Sequence, residues 1–165
     1  MTESPTYIAG RMQVGGNKTL EFFRELTPDQ WGAIMYTEGS VWTVREVLAH
    51  FVSAESGMTR LVESILTGGP GAPEDFDLNA YNERKVASLK NASTDELLGH
   101  FTLLREKSTA LAANLSPDDL TKTGRHPWLG MASIADILKM MYRHNQIHLR
   151  DIRRAMNSSE PNQDG

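Results

Sequence analysis

The sequence predicts an all-α protein, a four-helix bundle with a mid-chain crossover loop, and three observations carry that prediction. No run alternates with period two for long enough to make a sheet. Four long stretches repeat apolar residues at spacings of three and four, the period of a helix face. The segment richest in glycine and proline, Thr67 to Asp77 (TGGPGAPEDFD), falls at mid-chain and ends a long helical pattern cleanly.

The first helix is expected from about Thr6 to Leu26, with Ile8, Met12, Leu20, Phe22, Phe23 and Leu26 as its apolar content. Gly10, Gly15 and Gly16 weaken it, by about 1 kcal/mol each against Ala, so the Gly-Gly pair marks either close packing of a neighbour or a local distortion. A phosphate loop is a poor reading of it, because no Gly-Lys-Ser/Thr follows. Thr27-Pro28-Asp29-Gln30 reads as an N-cap, a Pro at the first helical position and a Gln closing a capping box, which opens a short turn through Trp31. Tyr36 to Trp42 reads as connector.

Thr43-Val44-Arg45-Glu46 is a second capping box and opens the second long helix, Val44 to about Leu66. On the edge of its apolar stripe lies the line Val47, His50, Ala54, Gly57, Leu61, whose small residues leave room for a neighbouring helix or a bound ligand. Beyond the crossover loop, Leu78 to about Lys90 is a weakly amphipathic helix. Ser93-Thr94-Asp95-Glu96 then caps another, carrying Leu97, Leu98, Phe101, Leu104, Leu111 and Leu115. Ser116-Pro117-Asp118-Asp119 starts a turn, and Thr121 to Met131 reads as an irregular loop in which Pro127 biases His126 away from helical geometry. The last helix runs from Ile134 to about Met156, and Asn157 to Gly165 reads as a disordered tail. In domain terms, one bundle covers 1–157 and the tail 158–165.

A chain of 165 residues is most simply one domain, able to bury roughly 70 % of its unfolded surface around a single core. The absence of cysteine removes disulfides, thiolate metal sites and a cysteine nucleophile together, so any metal must be held by nitrogen and oxygen. The net charge of -4 argues against nucleic acid or a membrane surface as partner. A local exception is Lys139, Arg143, Arg150, Arg153 and Arg154 on the last helix, either a solvated face or a means of drawing in an anionic substrate. No run approaches the roughly 18 apolar residues of a membrane span, and the start lacks a basic region followed by an apolar one, so a cytoplasmic protein is expected.

Within the last helix, His144 and His148 stand four residues apart, hence one turn apart on one face, and they continue the apolar stripe from Met141. A lone histidine on such a face is more often a satisfied core residue than a ligand. Two at this spacing can close on one metal ion, and burying both rings without an acceptor or a metal costs roughly 1–3 kcal/mol each. His50, His100 and His126 are all open as a third ligand, and spacing does not rank them.

WTVREVLAH in the second helix, HPWLGMASIADIL before the last and MMYRHNQIHLRDIRRA within it together resemble the DinB/YfiT-like family of bacterial helix-bundle proteins, in order and over nearly the whole chain. The resemblance implies that His50, His144 and His148 bind one divalent metal, and it places His126 in a His-Pro-x-Leu-Gly loop, as a structural residue or one lining the mouth of the site. Three imidazoles leave a coordination position open, the layout of catalytic sites. Zinc, nickel, iron and manganese all accept nitrogen ligands.

Asn145 stands where the zinc proteases carry their Glu base, which speaks against peptide hydrolysis by that route. Glu46, Glu55, Tyr142 and Asp151 are the candidates for a base or for a group orienting a ligand ring. By resemblance the chain is expected to be a metal-dependent transferase or isomerase that uses a low-molecular-weight thiol on a small electrophile in detoxification. The alternatives are a metal-containing stress-response or binding module without turnover, and a structural dimer with vestigial histidines. A homodimer would be anchored by Trp31, Trp42 or Trp128.

Overall fold

The computed structural model describes residues 3–36 and 41–158. Among them six helices form: α1 (Pro5–Arg24), α2 (Pro28–Trp31), α3 (Val44–Leu66), α4 (Leu78–Ser88), α5 (Thr94–Ala113) and α6 (Ile134–Ser158). Ser4, Thr27, Thr43, Asp77 and Ser93 each accept a first-turn backbone N–H on their side chains, and Gln30, Glu46 and Glu96 close capping boxes. α1 begins at Pro5 because Ser4 caps it and proline suits the first helical position. α6 continues through Asn157 and Ser158, so the helix takes up the first residues of the expected tail; residues 159–165 lie outside the described part.

Two expectations are corrected. Tyr36–Trp42 is not plain connector: β1 (Ile34–Tyr36) pairs antiparallel with β2 (Trp42–Thr43). Thr121–Met131 is not irregular either, since β3 (Thr123–His126) pairs antiparallel with β4 (Gly130–Ser133), bringing Thr123 opposite Ser133 and His126 opposite Gly130. Strands of two to four residues are too short to show an alternating pattern.

The bundle is made by α1, α3, α5 and α6. α1 packs on α5 and α6, and α3 packs on α5 and α6, which sets α1 diagonal to α3 and α5 diagonal to α6. Two apolar clusters fill the two ends. One joins Phe23 of α1, Val47 and Phe51 of α3, Phe101 of α5 and Ile152 of α6. The other joins Ile8 and Met12, Val62 and Ile65, Ala112, and Ile137 and Met141 of the same four helices. The order of these residues makes α3 antiparallel to α6 and parallel to α5. A parallel neighbour requires the chain to return along the bundle, and the crossover loop with α4 supplies that return.

Between the clusters lies a buried ionic contact. Arg105 of α5 meets Glu55 of α3 with two hydrogen bonds, Nε to Oε1 at 2.7 Å and Nη2 to Oε2 at 3.0 Å, and it donates to the carbonyls of Met12 on α1 and Met141 on α6. Ser108 donates to the same carboxylate at 2.6 Å. Gly16 of α1 serves this contact by close packing, since a Cβ there would come within 2.7 Å of Arg105 Cγ, whereas Gly10 faces open space.

The crossover loop lies along β3. Ala72 N–H donates to the Arg125 carbonyl at 2.7 Å, and Arg125 N–H to the Pro70 carbonyl at 2.9 Å. Gly71 between them has φ +91°, and a side chain there would meet the Arg125 backbone.

Candidate metal centre

Because α3 and α6 are antiparallel neighbours, the first half of α3 faces the second half of α6, and His50 meets His144 and His148. The three rings turn their Nε2 atoms toward one another: His50 to His144 is 2.9 Å and His148 to His144 is 3.1 Å. A ring nitrogen has one in-plane proton or one lone pair, so His144 Nε2 cannot satisfy both neighbours by hydrogen bonding. One cation accepts all three lone pairs. Ligands about 2.0–2.1 Å from a tetrahedral ion stand roughly 3.4 Å apart. That is near the two separations that link His144 to its neighbours, and all three nitrogens lie within 4.8 Å of one another. The donor set therefore fits a divalent metal.

Protonation favours the same use. Burial pushes His50 down to about 3, with His148 adding to the effect. Burial, then the nearby His50 and His148, hold His144 well below its ordinary value. His148 is lowered by burial against the opposing pull of Asp151. All three are neutral at pH 7, the state in which imidazole ligates.

A second ring of contacts orients His148. The Tyr36 hydroxyl donates to Asp151 Oδ2 at 3.1 Å and lies 2.9 Å from His148 Nδ1. With its only proton given to Asp151, the hydroxyl accepts from Nδ1–H, and Nε2 is left with the lone pair a metal needs. Burial first and then Asp151 push the Tyr36 phenol upward, so it keeps its proton. Trp42 covers His50, with ring centroids 5.0 Å apart.

The three histidines line an open cavity of about 900 Å³. Its walls are mainly apolar, with Met58 and Leu61 from α3, Phe76 from the crossover loop, Trp128 from the β3–β4 hairpin and Ile147 from α6. Ala54 and Gly57 line the cavity, and Gly57 admits a neighbouring helix: Tyr81 Oη of α4 would stand 3.2 Å from a Cβ there. Among the described lining residues, Arg60 is the cationic side chain and Glu83 the acidic one.

The other sequence candidates separate clearly. His100 is exposed on α5, away from the cluster, whereas His126 is buried and lines the cavity. Glu46 caps α3, Glu55 pairs with Arg105, and Tyr142 is buried with the Arg11 guanidinium 5.7 Å from its ring centre. Asp151 reaches the centre only through Tyr36, and none of these four lines the cavity. Of the basic residues on α6, Lys139 pairs with Glu3 and Asp136, Arg153 lies over Phe22, and none of the five lines the cavity. Trp31 stacks on Phe23 and Trp42 lies tilted against His50, while Trp128 is 63 % exposed.

Sequence reasoning missed Tyr36. The available signal was a pair of short β-prone runs, Ile34-Met35-Tyr36 and Val41-Trp42-Thr43, on either side of a glycine-containing tetrapeptide, the pattern of a strand pair.

The family model described as the DinB superfamily matches residues 12–152. Among solved structures, YfiT from Bacillus subtilis, described as a probable metal-dependent hydrolase with an unusual four-helix bundle topology, superposes with a TM-score of 0.75 at 21 % identity, over 95 % of this chain and 90 % of its own. The colibactin self-resistance protein ClbS, solved in complex with a dsDNA, gives 0.71 at 12 % identity over 93 % and 98 %. The mycothiol-dependent maleylpyruvate isomerase gives 0.74 at 15 % identity over 92 % of this chain and 63 % of that one. At these identities the likeness is one of fold. No curated protein matches the sequence.

Proposed function

This chain belongs to the DinB superfamily, and from that premise we propose that it is a divalent-metal-dependent enzyme acting on a small, largely apolar molecule. The observation that carries the reading is the convergence of three neutral imidazole nitrogens at the wall of an open cavity of about 900 Å³. A plugged cluster would suit a structural ion; an open one has room for substrate.

His50, His144 and His148 hold the ion, Tyr36 and Asp151 set the tautomer of His148, and Trp42 shields His50 from water. Such an ion supplies Lewis-acid activation of a thiol or a water and polarises a substrate oxygen. The apolar walls bind and orient the organic body of the substrate and exclude water around it. The chemistry we favour is thiol-dependent S-transfer or isomerisation, with a low-molecular-weight thiol as co-substrate, because a fold neighbour is a mycothiol-dependent isomerase.

We place this activity in the cytoplasm and in a single bundle domain over 1–157. No described helix is long and apolar enough to cross a membrane. Nucleic acid is not the partner we propose, although ClbS was solved with DNA, because the cavity of this chain is apolar and its net charge is -4. If the protein is a homodimer, exposed Trp128 is its best anchor.

Elemental analysis of untagged protein tests the centre. We expect about one divalent metal per chain, lost in His50→Ala and in His148→Ala with helicity kept. Thiol-dependent consumption of electrophiles, abolished by chelation, would then support the enzyme. Metal without turnover would leave a metal-containing binding module, and no metal uptake at all would overturn both.

A further inference from the structure

His126 ends β3 at the wall of the cavity, and its ring is held by its own loop. Nδ1 accepts two backbone N–H groups, from Trp128 and from Leu129, both at 3.1 Å. A ring nitrogen that accepts carries no proton, so the single proton of the neutral ring sits on Nε2. Burial keeps the ring neutral by lowering its affinity for a second proton.

The Nδ1 edge is tied to the loop, which leaves the Nε2 edge for the cavity that His126 lines together with the three ligand histidines. Nε2–H has no hydrogen-bond partner among the described residues. The wall does not close this nitrogen off, so a ligand oxygen in the cavity can accept from it directly. The donor is uncharged and suits a carbonyl oxygen, which needs no countercharge beside it when buried.

We propose that His126 is a substrate-binding residue whose Nε2–H donates to a carbonyl oxygen of a ligand with an apolar body filling the cavity. This rests on the reading of the cavity as a substrate site and adds what that reading leaves open, namely that the substrate carries a carbonyl. The loop hydrogen bonds make the donor rigid, so little conformational freedom is lost when the ligand arrives.

Two substitutions separate the binding role from the loop role. In His126→Asn the amide oxygen can still accept the Trp128 and Leu129 N–H groups, in the manner of an Asx turn, but nothing reaches the Nε2 position. In His126→Gln an amide N–H reaches that position, while the loop acceptor is lost. The probes are 2-acetonaphthone and 2-isopropylnaphthalene, similar in shape and differing in the carbonyl, titrated into protein as purified and after removal of metal by chelation.

The wild type should bind the ketone roughly threefold to tenfold more tightly than the hydrocarbon in both forms. His126→Asn should lose that preference with unchanged Tm and hydrocarbon affinity, and His126→Gln should keep part of it. Nitrogen NMR of labelled histidine should show Nε2 protonated and Nδ1 bare, with the Nε2 proton shifting when ketone binds. A ketone preference retained in His126→Asn, no preference in the wild type, binding of neither probe, or a proton on Nδ1 would each overturn the assignment. A ketone preference in a protein that takes up no metal would leave His126 as assigned and sink the metalloenzyme reading alone.

Discussion

Tyr36 decides which nitrogen of His148 is free, and it does so from a strand, not from the helix that carries the histidine. Tyr36→Phe keeps the ring and removes the hydroxyl, so the fold should persist while metal affinity falls about 10-fold to 100-fold, as read by competition with a chelating dye. The histidines also make a pH signature in the metal-free protein. Their folded-state pKa values are lowered, His50 to about 3, so above about pH 6.5 they are neutral in both states and stability does not depend on them. Below that pH the unfolded chain takes up protons that the folded centre resists. Stability should therefore fall with acidification from about pH 6.5 toward 3, by about 1.4 kcal/mol per pH unit for each histidine still neutral in the folded state. Urea titrations across this range check it, and His50→Phe should flatten the slope; an unchanged slope would place the resisting groups elsewhere.

Among the elements, α1 shows most directly how a helix is shaped by what it must admit. Gly16→Ala adds a methyl where Arg105 Cγ lies, and Arg105 cannot swing away without giving up Glu55. A loss of about 1–3 kcal/mol is expected in thermal or urea unfolding. Gly16 also shows where legibility ends: its sequence says that something approaches closely, but nothing in it says that the visitor is an arginine from α5. The capping boxes at Thr27, Thr43 and Ser93 were readable because both halves of each lie within four residues. The strand pairs were not, since their hydrogen bonds join residues that no helical or alternating period connects. Tyr36 was lost with them, and so was the role of Trp42. His144 and His148 were readable as a pair because one turn of helix relates them. His50 lies 94 residues from His144, and only family resemblance, not spacing, put it ahead of His100 and His126.

For the molecule as a whole, the crossover return makes α3 parallel to α5 and leaves α6 to close the bundle against α1 and α3. Glu55 and Arg105 sit where all four helices meet. Removing one partner strands a buried charge, so Glu55→Ala should cost about 3–5 kcal/mol, whereas the double variant Glu55→Met with Arg105→Leu should recover most of that stability. The double variant should nonetheless bind metal more weakly than the wild type, and equal affinity would deny the pair any part in shaping the centre. The reason is one of height along the bundle. Glu55 lies five residues from His50 on α3, about 7.5 Å along the axis, and Met141 lies three residues from His144 on α6, about 4.5 Å. A greasy interface tolerates one helix sliding past another by part of a turn, but a guanidinium that grips both at once does not. Arg105 works as a locating pin: it fixes two helices at matched heights, so that the three imidazoles meet at one point instead of passing each other.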